Sequence, residues 1–239
     1  MKTEDIIYRD GALEMSGFIA YDETQVGQRP GVLVVHEGWG LGEHVMNRAK
    51  ILAELGYVAF AADMYGNRHQ MSKADDAMAA IAELRANPQK LRTRARAALA
   101  ALGAHAQVDK TKLAGIGFSF GGTTVLELAR DGSDLAGVVC FHGSLDTTAP
   151  AAPGGVKARI LVCTGADDPM IPLAQVEAFK EEMGKAGAAL RIISYPGAVH
   201  NFTNPQADGS IAPGLLYNAE ADQKSWAAMR DFLAEIFAR

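Results

Sequence analysis

The sequence predicts an α/β fold, a mainly parallel sheet with helices on both faces. Apolar runs rich in Val, Ile and Leu alternate with segments of helical periodicity along the chain. The runs GVLVVHE and VAFAAD are continuous rather than alternating, which suits strands covered on both sides. A length of 239 residues is enough to bury a sizeable core, so a single domain over residues 1–239 is expected.

The elements follow in order. Strands near Glu4–Tyr8 and Leu13–Tyr21 flank RDGA, whose Asp-Gly signals a hairpin, so the sheet is expected to open with an antiparallel pair. GVLVVHE gives the next strand, residues 43–55 a helix, and VAFAAD another strand. The stretch 72–105 reads as two helices divided at ANPQK, where Pro88 cannot continue the first. A strand at 113–118, a helix at 121–129 and strands at 135–141 and 159–164 come next. A helix at 173–186, a strand at 190–195 and a helix from about Tyr217 to Phe237 complete the chain. Residues 142–158 are small and proline-rich, with no helical pattern, so no large cap domain is expected.

Composition excludes several functions. The chain has 23 Lys and Arg against 28 Asp and Glu, a formal charge of −5, which offers no general attraction to phosphate backbones. A nucleic-acid partner is not expected, and Arg92, Arg94 and Arg96 read as the wet face of a helix. The opening MKTEDIIYRDG has no apolar core of signal-peptide length, and no apolar run approaches the roughly 18 residues that span a bilayer. A cytoplasmic protein without a membrane partner is the expectation. Cys140 and Cys163 sit in apolar runs without ligand spacing and read as buried free thiols. His36-Glu37 lacks the second histidine of H-E-x-x-H, since residue 40 is glycine, so no metal is implied.

The chemistry concentrates in LAGIGFSFGG, residues 113–122. A dinucleotide fingerprint fails because Phe120 holds the third glycine position, and a phosphate loop fails because Gly121-Gly122 precedes threonine rather than lysine. G-x-S-x-G does fit, as Gly117-Phe118-Ser119-Phe120-Gly121. In that geometry the serine occupies a strained strand-to-helix turn, and the N–H of Phe120 can donate to a developing oxyanion. A serine hydroxyl needs a base to take its proton, and on such a sheet the chain order is Ser, Asp or Glu, then His. TGADDPMIP and PGAVHNF supply Asp167 or Asp168 and then His200, each after a strand, where open α/β sheets assemble their sites. His142 precedes the aspartates and reads as a pocket wall, with Trp39, Tyr65 and Phe202 as further walls.

With Ser119, GADDPMIP, GAVHNF and VVHEGWG in hand, the chain resembles the dienelactone hydrolase family of the α/β-hydrolase superfamily, from about residue 10 to 237. The resemblance implies an α/β-hydrolase fold, Asp168 as the triad carboxylate, and Glu37 beside the nucleophile as an auxiliary. It also implies the N–H of Gly38 as the second oxyanion donor. Founding members carry cysteine at the position of Ser119, and an arginine where this chain has Asn204; Arg68 is the candidate replacement. The expected activity is cofactor-free hydrolysis of a small ester or lactone through an acyl-enzyme. The same site could serve a thioesterase or peptidase, and the fold could be kept as a ligand receptor.

Overall fold

The structure is a computed structural model that describes residues 1–238. Eight strands form one sheet in the order β1-β2-β4-β3-β5-β6-β7-β8. They are β1 (Lys2–Asp10), β2 (Leu13–Tyr21), β3 (Arg29–Val35), β4 (Val58–Ala62), β5 (Val108–Phe118), β6 (Gly137–Phe141), β7 (Arg159–Gly165) and β8 (Leu190–Tyr195). The helices are α1 (Glu43–Glu54), α2 (Ala74–Ala86), α3 (Pro88–Gly103), α4 (Phe120–Arg130), α5 (Leu173–Lys185) and α6 (Ala219–Phe237). β1 and β2 pair antiparallel through the Asp10↔Leu13 turn, where Gly11 takes φ 57°. β2 also runs antiparallel to β4, and every later pairing is parallel. This is the α/β-hydrolase architecture, without a large cap.

Alternation along the central strands sends side chains to two cores. In β3, Leu33 and Val35 join one cluster with Leu84, Leu91, Val125 and Phe179, from α2, α3, α4 and α5. Val32 and Val34 join the other, with Val45 and Leu52 of α1 and Met229 and Leu233 of α6. Each such fully buried Leu, Val or Met side chain contributes about 1.5–3 kcal/mol, which anchors helices on both faces of the sheet. The α2/α3 break lies where Pro88 predicts it: Pro88 is the first residue of α3, and the Asn87 side chain accepts from Lys90 N. Residues 142–158 hold no helix or strand.

The arginine run departs from expectation. Arg94 lies about 200° around the helix from both Arg92 and Arg96, so the three cannot share one face. Arg92 is buried, Nε donating to Glu127 at 2.9 Å, within an ionic cluster that continues to Arg130 and Glu182. Arg94 donates to the carbonyl of Met64, and only Arg96 stands at the surface, paired with Asp131. Glu127 on α4 supplies the opposite charge that allows Arg92 to be buried.

Candidate active site

Because β3, β5, β7 and β8 are parallel, their carboxyl ends share one edge, and the segments leaving them carry Glu37, Ser119, Asp168 and His200. Ser119 stands between β5 and α4 with φ 51° and ψ −115°, a conformation that side-chain-bearing residues rarely adopt. Two close approaches hold it there. A Cβ on Gly117 would lie 2.0 Å from the carbonyl oxygen of Gly121, and one on Gly121 would lie 2.1 Å from that of Val35. The Ser119 N–H donates to the carbonyl of Phe141 at 2.9 Å, tying the turn to the end of β6. Phe120 then begins α4, whose N-terminal N–H groups favour negative charge nearby.

Ser119 Oγ lies 2.9 Å from Nε2 of His200, and Nδ1 of His200 lies 2.8 Å from Oδ2 of Asp168. The other oxygen of Asp168 accepts the backbone N–H of Met170 at 2.8 Å, so the carboxylate is fixed on both sides. Asp168 and His200 are both buried. Asp167 points elsewhere, its Oδ2 accepting from the N–H of exposed Gly197. The His200 loop is pinned by its own carbonyl, which accepts from Leu216 N.

Glu37 lines the cleft with Ser119, and its bonded partners are not part of that lining. Oε1 accepts from Nδ1 of His44 at 2.6 Å and from the Asn204 side chain at 3.1 Å. Nε of Arg48 donates to His44 Nε2 at 3.2 Å, so the ring proton sits on Nδ1, facing the carboxylate. Burial acts to raise the Glu37 carboxyl, but His44, a backbone hydrogen bond and His36 together outweigh it and hold Glu37 below the usual carboxylate range. Arg48 reaches further, donating to Asp222 Oδ1 at 2.6 Å and to the carbonyl of Thr203 at 2.7 Å, and it stacks on Trp226. Sequence reading missed this chain, although His44 and Arg48 stand four apart on one face of α1.

The cleft above Ser119 has a volume of about 250 Å³. Trp39 lines it as a wall, with Glu37, Gly38, His200 and the polar Asn201, and the rest of the lining beyond Ser119 is apolar, including Ala77, Met78 and Ile81 of α2, with Met170, Ile211 and Leu215. Three expected walls lie elsewhere. The Tyr65 hydroxyl donates to the carbonyl of Gly38 at 2.9 Å, and the ring stacks on Phe120, beneath the cleft. Phe202 is fully buried, its ring against Tyr195. His142 is also fully buried, its Nε2 2.8 Å from Thr203 Oγ1 and its ring edge-on to His200. Burial, then the field of His200, push the His142 imidazolium well below its ordinary value, so it stays neutral. Arg68 pairs with Asp5 at 2.7 Å and does not line the cleft.

Both cysteines are free and buried, and burial pushes each thiol up to about 12, which leaves them unreactive. Among the described residues no group of three or more His, Cys, Asp or Glu side chains could hold a metal ion. No helix among them is long and apolar enough to cross a membrane.

Residues 15–237 match the model of the dienelactone hydrolase family. A Methylorubrum extorquens protein provisionally named carboxymethylenebutenolidase is 29% identical, covering 87% of this chain and 73% of its own. Among solved structures, one called m3DLH superposes with a TM-score of 0.94 at 39% identity over 98% of both chains. A dienelactone hydrolase-like promiscuous phosphotriesterase from metagenomic libraries does so with 0.92 at 38%, again over 98% of both. The match runs from within β2 to the end of α6 and takes in all the residues gathered at the sheet edge, and on it the chain belongs to the dienelactone hydrolase family of α/β-fold hydrolases.

Proposed function

We propose that the protein hydrolyses small, uncharged carboxylic esters or lactones through a serine acyl-enzyme. Ser119 Oγ attacks the carbonyl carbon while His200 Nε2 takes its proton, and Asp168 holds the imidazole in the tautomer that makes this possible. The N–H groups of Phe120 and Gly38 stabilise the oxyanion. The imidazolium then gives its proton to the leaving oxygen, and water repeats the sequence to release the acid. The observation that carries the reading is the unbroken Ser119–His200–Asp168 hydrogen-bond chain, at 2.9 and 2.8 Å.

The preference for uncharged substrates rests on the cleft's charge. Its lining contains no lysine or arginine, and Glu37 is held ionised within it. An anionic acyl group would meet a like charge with nothing to pair it. Glu37 has no evident part in handling the serine proton, because its bonded partners are His44 and Asn204.

The test is labelling by a fluorophosphonate, followed by turnover of matched esters, lactones, thioesters, amides and a phosphotriester. The phosphotriester is included because a relative bears that activity in its name. Fast labelling lost in Ser119→Ala, with kcat on the preferred ester reduced by about 10⁶, is expected. Absence of labelling in the folded wild type would turn the reading towards a ligand receptor.

A further inference from the structure

A second groove, about 410 Å³, adjoins the cleft and shares Trp39, Ala74, Asn201, Ile211 and Leu215 with it. The character of the two halves differs. The half over Ser119 is lined by Ala77, Met78, Ile81 and Met170, whereas the neighbouring groove is lined by Ser72, Asn204, Gln206, Asp208 and Ser210. Resting on the hydrolase reading above, we propose that the polar groove binds the leaving alcohol. The substrate is then an ester of an apolar acid with an uncharged alcohol that carries further hydroxyl groups.

The assignment of halves follows from where the proton goes. The cleft that holds Ser119 has its apolar wall in Ala77, Met78 and Ile81 of α2, the side that would take the apolar part of an acyl group bonded to Ser119. The acyl chain therefore runs over α2. His200 must protonate the leaving oxygen, so the alcohol departs on the histidine side. Asn201, the next residue, lines both halves at φ 64°.

Chemistry narrows the alcohol further. Amide and hydroxyl side chains both donate and accept, which matches hydroxyl groups better than it matches an alkyl chain. Neither half has a lysine or arginine, and the polar groove contributes Asp208, so an alcohol bearing a carboxylate is repelled.

The proposal is tested with one acyl group on three alcohols: the butyrate esters of glycerol, of glycerol with its two free hydroxyls masked as an acetonide, and of glyceric acid. Wild-type kcat/KM is expected to be roughly tenfold higher for the glycerol ester than for either of the others, chiefly through KM. Ser72→Ala/Gln206→Ala, changes at two exposed positions, is expected to bring the glycerol-to-acetonide ratio to within about twofold of one. Each ratio is taken within one preparation, so partial loss of folded enzyme does not enter it. Turnover of phenyl butyrate by the wild type tests the hydrolase reading separately. With that turnover present, a wild-type ratio near one overturns the subsite. A tenfold ratio that survives in the double variant overturns it equally, because bulk rather than hydrogen bonding would then be its cause.

Discussion

Ser119→Gly and Ser119→Ala, compared with each other, measure the strain stored at the turn. Both lack the hydroxyl, and both lose the 2.9 Å bond to His200, a loss of about 0.5–1.5 kcal/mol that cancels between them. They differ in what φ 51° and ψ −115° require of them. A residue with a Cβ is strained there by about 1–3 kcal/mol, and glycine is not. Glycine's greater freedom in the unfolded chain offsets about 0.5–1 kcal/mol of that gain. The side chain is only half-buried, so its removal leaves no large cavity. The glycine variant should be the more stable by about 1 kcal/mol, a difference of roughly 2–4 °C in Tm for a chain of this size. Thermal and urea unfolding of the two inactive proteins checks it. An alanine variant as stable as the glycine one would mean that the turn is relaxed, and the account of why Gly117 and Gly121 are needed would fail.

Other perturbations separate neighbouring groups. Asp168→Asn should lower kcat by about 10⁴ with the fold intact, while Asp167→Asn, whose carboxylate accepts from Gly197 rather than from His200, should change it by no more than a few-fold. The opposite order in steady-state rates would reassign the carboxylate. Arg48→Met leaves Asp222 buried without its charged partner and should destabilise by about 3–5 kcal/mol in urea titration. Burial already raises the Asp222 carboxyl despite Arg48, so Arg48→Met/Asp222→Leu should recover most of the loss. Stability should also fall with pH below about 6.5. Burial depresses both His36 and His142, so the unfolded chain takes up protons there that the folded chain does not, and above 6.5 neither state does. His142→Gln should flatten this acid limb of a Tm-against-pH curve. An unchanged limb would mean that His142 is protonated in the fold.

Much of the site could be read from local rules. A G-x-S-x-G turn between strand and helix announces itself because backbone crowding admits only glycine at residues 117 and 121. The Ser, Asp, His order follows from strand ends that share one edge. The walls were less legible. His142 and Phe202 follow strand-end segments as Trp39 does, but the His142 ring turns against His200 and the Phe202 ring against His142, and no spacing rule reports that turn. The true lining comes from Met78 and Ile81 on α2 and from the loop around Ile211, which reach the cleft by tertiary packing. Burial of Arg92 was hidden for a similar reason, since its partner Glu127 lies 35 residues away on another helix.

The division of labour at the sheet edge bears on how the molecule can change. The turn that strains Ser119 is locked by contacts from Val35 and Phe141, whereas α2 and the segment around Gln206 and Ile211 take no part in that lock. Diversification of such a scaffold can proceed by rewriting those outer segments while the reacting groups stay untouched. New selectivities then arise without the chain passing through inactive intermediates.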